Sequence, residues 1–348
     1  DVFAVQSEVS QEVAKALHRR LSPTTRERME TAHSPSLESY HQYLRGRYAL
    51  HKLTPDGIET AVAHFTRALE IDTRYALAHA GLATCHAYAG HFGYRPIEEA
   101  FPAAKQAALA ALETDESLAE ANAALGLVAL FHDWDWASAG RHFERALELE
   151  PNFATGHLQN SWLLLAIGRS GEALAAAGKA VELDPLSAFA YTNLGWIQFY
   201  SGLNQESLAQ YDRAIELEPD HAFAKDQIAG TYMAMGRFDE ALQLLEQAIN
   251  PVHRAWALAL AGRAEETREA LERLTAKSNP TPPSAFDLAM THLIMGELDE
   301  GFRFIEKAMD QRDSRLTIFA NHPFLKGVRS DPRMLEIVHR LGLDAEAL

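Results

Sequence analysis

The chain has 348 residues, 47% hydrophobic and 23% charged, a balance ordinary for a soluble helical protein. With 32 basic against 48 acidic side chains its formal charge is −16, which leaves no electrostatic footprint for the phosphate backbone of a nucleic acid or for an anionic membrane surface. The single cysteine, Cys85, excludes an internal disulfide framework and a thiolate zinc site, and no apolar run approaches the roughly 18 residues of a membrane span.

Residues 1–20 read as one helix. Val5, Val9, Val13 and Leu17 recur at every fourth position and form one apolar stripe, and His18, Arg19 and Arg20 put positive charge beside the last carbonyls. Ser22-Pro23 stops it. Residues 22–35, polar and bounded by Pro23 and Pro35, read as a linker. The chain opens at Asp1 without a Met or a charged-then-apolar leader. It is expected to be a piece of a longer protein from a reducing, cytoplasmic compartment.

From Ser36 the pattern becomes one of paired helices. The first pair runs to about Asp72. The second starts near Tyr75, with a turn about nine residues too long from His91 to Phe101. The third starts near Ala119 and carries one extra residue in the turn His132–Trp136. Then Ala154–Ser187, Ala188–His221 and Ala222 onward repeat one pattern with a 34-residue period. Gly168, Gly202 and Gly236 fill one slot, Ala173, Ser207 and Ala241 the next, and Ala180, Ala214 and Ala248 a third, with Pro185, Pro219 and an early Pro251 closing each unit. A shortened seventh unit runs from Val252 to Lys277, with Gly262 in its turn. Three prolines follow between Ser278 and Pro283, and an eighth unit spans Ser284–Asp313. Residues 314–348 match no unit and read as a terminal cap with one helix, Pro332–Leu341.

The small residues carry the fold. Ala173 and Ala180 are two turns apart on one helix face, where a second helix can approach closely. Gly168 ends a helix where a left-handed backbone is needed, and Pro185 prevents the next helix from continuing. Each unit buries its apolar face only against its neighbour, so the units stack.

This arrangement resembles the tetratricopeptide repeat family over residues 36–313, most closely over 154–251. The resemblance implies an all-α, right-handed solenoid of about eight helix pairs with an N-terminal helix and a C-terminal cap. Its concave wall, made by the first helix of each pair, would bind peptides or protein segments. A narrower resemblance rests on Asp1–Gln6, Tyr40–Arg47, Trp134-Asp135-Trp136 and Asp331-Pro332-Arg333 in that order. They are similar to bacterial proteins in which a TolB-like domain precedes such repeats, with a winged-helix DNA-binding domain, nucleotide cyclase or Ser/Thr kinase further upstream. Residues 1–35 would then be the tail of the upstream domain.

On this resemblance the groove-facing slots hold Tyr88, Phe131, Leu158, Trp162, Leu165, Phe189, Trp196, Phe199, Tyr200, Phe223 and Met233. They form an aromatic wall able to anchor a helix or an extended segment. The competing reading of any one of them is filler between neighbouring helices. The Lys, Asn and Arg that grip a C-terminal carboxylate in some relatives are replaced here by Leu158, Trp162, Thr192, Trp196, Asp226 and Gly230, which rules that partner class out of the central groove.

His79, Cys85 and His86 lie close together but lack a carboxylate at ligand spacing. No strained nucleophile turn and no glycine-rich phosphate loop occurs. Pairs such as Glu98-Glu99, Asp115-Glu116 and Asp299-Glu300 sit at helix starts, where they suit the helix dipole. The expectation is a protein–protein interaction scaffold without cofactor, metal or catalysis, the regulatory arm of a larger signalling protein that binds a protein or peptide partner in its groove. The alternatives are a self-association element and the non-catalytic part of an upstream enzyme.

Overall fold

A computed structural model describes residues 36–247, 251–279 and 282–343. The helix and linker expected over 1–35 lie outside these residues. The first four helix pairs are α1 (Leu37–Leu50) with α2 (Pro55–Ile71), α3 (Ala76–His91) with α4 (Ile97–Thr114), α5 (Ala119–Val128) with α6 (Trp136–Leu149), and α7 (Ala154–Ala166) with α8 (Ser170–Leu183). The next four are α9 (Ala188–Tyr200) with α10 (Asn204–Leu217), α11 (Ala222–Ala234) with α12 (Phe238–Leu244), α13 (Val252–Leu260) with α14 (Ala264–Thr275), and α15 (Ala285–Ile294) with α16 (Leu298–Asp310). Two 3₁₀ turns, Ser314–Ile318 and Pro323–Val328, lead to α17 (Pro332–Arg340). Among the described residues there is no strand.

Four of the pairs close over a glycine of the first helix, Gly46, Gly90, Gly126 or Gly195. A Cβ added to Gly126 on α5 would lie 2.6 Å from the fully buried ring of Phe143 on α6, and one added to Gly195 on α9 would lie 2.7 Å from Tyr211 on α10. The aromatic plug of the second helix thus rests on the bare backbone of the first. The turn that follows is set by chirality: Gly168 has φ 79°, a conformation that costs an L side chain about 1 kcal/mol or more, and Gly202, Gly236, Gly262 and Gly296 repeat it.

The two insertions are absorbed inside helices. Of the residues expected to lengthen the turn after α3, Ile97–Phe101 form the first turn of α4, with Glu98 and Glu99 at its positive end. Only Phe92–Pro96 remain as loop. The extra residue ahead of α6 becomes a π-helical turn, Ala129–Asp133, closed by Trp134 at φ 53°. A π turn takes in one residue without breaking the helix that precedes it.

Successive first helices touch one another, and those of the second to seventh units also pack on the second helix before them. The outer surface carries short ion pairs of one design. Arg169–Glu172, Arg237–Glu240 and Arg263–Glu266 repeat it at three turns, at 2.5–2.6 Å and well exposed. Such pairs contribute only a few tenths of a kcal/mol each.

Glycine in the middle of a helix ordinarily costs about 0.5–1 kcal/mol relative to Ala. Gly178→Ala, with open space at its Cβ, is therefore expected to raise the thermal midpoint. Gly126→Ala is expected to lower it, because displacing the enclosed Phe143 ring costs about 1–3 kcal/mol. Thermal unfolding of the two variants checks the opposite signs.

Candidate binding trough

The wall residues come from the first helices, and the structure gathers most of them into two aromatic clusters. Phe131, on the π turn, is 3% exposed and stacks on His91 at 3.8 Å and 14°. Its ring lies 5.7 Å from Trp162, which also meets Tyr88 at 5.9 Å and the edge of Phe189 at 6.4 Å. Trp162 donates its Nε1–H to Asn193 Oδ1. Asn193 in turn donates to Ser161 Oγ at 3.1 Å, and the Ser161 hydroxyl donates to the Leu158 carbonyl. That chain of bonds ties α7 to α9. Leu158 and Leu165 are buried beside it.

The second cluster holds Trp196, 4.6 Å from Tyr200, and Phe199, which meets Tyr200 edge-on at 5.2 Å. Phe223 lies apart on α11, edge-on to Phe92 of the α3–α4 loop at 6.2 Å, and Met233 is buried.

The C-terminal segment lies along this wall. Asn321 donates to the Leu165 carbonyl at 3.1 Å. The Ser314 hydroxyl donates to the His91 carbonyl at 3.2 Å and accepts from His91 Nδ1 at 2.9 Å. His322 sits 5.5 Å from Tyr200, 6.5 Å from Phe199 and 5.9 Å from Trp256, and the Phe324 ring lies 6.0 Å from Phe199. Further along, Leu341 accepts at its carbonyl from Trp136 Nε1 at 2.8 Å. Arg312 donates to the His132 carbonyl and lies over the Trp134 ring at 4.9 Å. The stretch read from sequence as a cap on the last unit therefore bonds to the second, third and fourth units and packs on the fifth and seventh.

A charged clamp holds the start of the segment. Arg315 grips Asp313 at 2.6 Å and Asp287 at 2.9 Å. Asp287 is also the third residue of the capping box that starts α15 at Ser284. At the other end Arg333 and Arg340 reach Asp299 and Glu306 of α16 at 2.8 and 2.6 Å.

Sequence reading passed over His91, His322, Phe324, Arg315 and Trp256. Trp256 had a signal, since it is an aromatic in a first-helix slot of the seventh unit. The segment residues had none, because 3₁₀ turns carry no apolar period. Elsewhere, Cys85 is fully buried, which pushes its thiol up, and His79 bonds to the Thr73 carbonyl at 3.1 Å. Among the described residues no group of three His, Cys, Asp or Glu is arranged for a metal ion, and no helix is long and apolar enough to cross a membrane.

The repeated pair, its glycine turn and the stacked first helices agree with sequence profiles of the tetratricopeptide repeat, which match residues 190–221 and 226–254. The chain carries tetratricopeptide repeats. The tetratricopeptide-repeat protein YrrB, described as having an unusual peptide-binding site, is 24% identical and covers 58% of this chain and 96% of its own, with a TM-score of 0.32. The human IFIT1 dimer bound to m7Gppp-AAAA shares the fold at a TM-score of 0.52 and 15% identity, over 78% of this chain and 72% of its own. Among curated proteins the transcriptional regulator HilA of Salmonella typhimurium is 27% identical over 139 residues, 40% of this chain. The match spans only 25% of HilA.

Burial pushes the His91 imidazole down to about 3, with the Arg315 cation adding to the effect and Asp313 opposing it. Burial does the same to His322, again to about 3, helped by His253 and Arg329. Above the ordinary value of 6.5 both rings are neutral, folded or not. Below it the unfolded chain binds protons that the folded chain refuses, so stability falls as pH drops from about 6.5 toward 3, by at most about 1.4 kcal/mol per pH unit for each histidine. His322→Asn is expected to flatten that slope between pH 6.5 and 5, above the range in which most carboxylates titrate. Denaturant melts across the pH range check this.

Proposed function

We propose that this tetratricopeptide array is a protein–protein interaction scaffold whose trough, walled by Phe131, Leu158, Trp162, Leu165, Phe189, Trp196, Phe199, Tyr200, Phe223 and Met233, binds a segment of a protein partner in competition with its own C-terminal residues. The single observation that carries this reading is the seating of residues 312–328 on that wall. The segment uses backbone-directed bonds at Leu165, His91 and His132 and aromatic contacts at Phe199 and Tyr200. These are the interactions by which a groove of this kind takes up a peptide. A wall able to hold one segment of this chemistry suits another: an apolar stretch with aromatic anchors and a side-chain amide at the level of the Leu165 carbonyl.

The reading is of a regulatory arm rather than a catalyst. Two titratable groups at the wall, His91 and His322, are held neutral by burial and packed against rings. The name of HilA, a transcriptional regulator, supports a regulatory setting in which this region serves an effector carried elsewhere in a larger bacterial cytoplasmic protein. The order of short motifs that resembles TolB-like architectures supports the same setting.

Exchange of the segment tests the proposal. A protease site is introduced at Arg312-Asp313 in the full chain and cut. The released piece is expected to stay bound, and to be displaced by an excess of a synthetic peptide of residues 313–343 while helicity is kept. Phe199→Ala is expected to speed that displacement at least tenfold, about 1.4 kcal/mol. Collapse of the helical signal whenever the piece leaves would show that the trough is a closed core, not a binding site.

A further inference from the structure

Consecutive units meet through one face of the first helix, and α1 presents that face with nothing described against it. The face can be located by counting from the glycine that sits under its own pair's aromatic plug. On α5 that glycine is Gly126. Ala121 and Ala124, five and two residues before it, are buried against Ala111 and Ala108 of the preceding α4, and Val128, two after it, is buried as well. On α1 the corresponding glycine is Gly46, whose added Cβ would strike Phe65. Counting the same way gives His41, Leu44 and Tyr48, with Leu37 one turn earlier. These are exposed: Leu37 by 71%, Leu44 by 43% and Tyr48 by 70%. An apolar stripe of large side chains thus occupies the slots that the inner units bury.

We propose that the stripe Val5, Val9, Val13 and Leu17 of the same chain covers this face of α1, in the place that the second helix of a preceding unit would hold. Several observations select this occupant. The segment leads directly into Ser36, the N-cap of α1, and the 18 residues between Leu17 and Ser36 reach about 60 Å extended, against the roughly 21 Å length of the 14-residue α1. Its apolar spacing of four reads from the sequence as one helical stripe, and on α1 Leu37, Leu44 and Tyr48 recur at seven and four and share one helix face. A cavity of about 350 Å³ beside the stripe, lined by Leu44, Arg45, Tyr48, Lys52, Thr60 and His64, is open to receive a side chain. The larger residues of α1, compared with the alanines of α5, suit a partner that stands off slightly further than a standard second helix.

Disulfide trapping in the full chain tests this. Leu44→Cys is combined in turn with Val5→Cys, Val9→Cys and Val13→Cys, and with Lys15→Cys as the off-stripe control. Cys85 is fully buried and does not interfere. Under mild oxidation at least one stripe pair is expected to close within a single chain at least tenfold faster than the control, giving a faster-migrating monomer on non-reducing gels. Cross-links between chains would instead assign the face to a second copy. Stripe pairs that close no faster than the control would leave it to a different partner. Either result overturns the proposal.

Discussion

The structure depends on a close contact between a buried aromatic ring and a helix backbone stripped of its side chain. Phe65 over Gly46, Phe143 over Gly126 and Tyr211 over Gly195 repeat it in three pairs. Dispersion and apolar burial favour the contact, and any Cβ beneath the ring would force the helices apart. In these pairs the two helices meet at a short distance, and along the array the pairs stack with successive first helices in contact. The first helices then make a continuous inner wall, and the large side chains that line it follow from the small ones behind it.

What the wall does next is settled by the same economy. A row of large aromatic residues open to water would be an apolar patch of the kind that monomeric proteins cover or use. Here residues 312–328 pack on part of it, at Phe199 and Tyr200, and bond to the Leu165 carbonyl, and α17 continues onto the last pair. The segment is held at both ends by charge, through Arg315 on Asp313 and Asp287, and through Arg333 and Arg340 on α16. Between the clamps it is held by packing and by single bonds to carbonyls. Arg315 is 31% exposed, but its partners Asp287 and Asp313 are buried, and a buried carboxylate is costly to strand. The clamp therefore fixes where the segment starts.

The array was legible in the sequence because its signal is local and repeated. The glycine turns, the small slots and the closing prolines recur at a fixed spacing, and each reports a contact made within one unit or with the next. The π turn at Ala129–Asp133 was visible as one residue too many, though its form was not. The role of the C-terminal segment could not be read. Asn321 meets Leu165 across 156 positions, and Ser314 meets His91 across 223, and no periodicity encodes contacts of that range. For the same reason pattern alone could not separate groove from filler. Trp162 and Phe199 are large and apolar in slots that either role would favour, and the structure buries Trp162 among Tyr88, His91, Phe131 and Phe189 and sets Phe199 against Phe324 of the segment.

Amide hydrogen exchange of the intact chain tests the central claim, the seating of the C-terminal segment on the repeat wall, most directly. If the segment belongs to the wall, the amides of Leu316, Phe319 and Leu325 are protected to the same degree as those of α7 and α9 and exchange through the same opening. Exchange of those three at the rate of a free peptide, with α7 and α9 still protected, would contradict it.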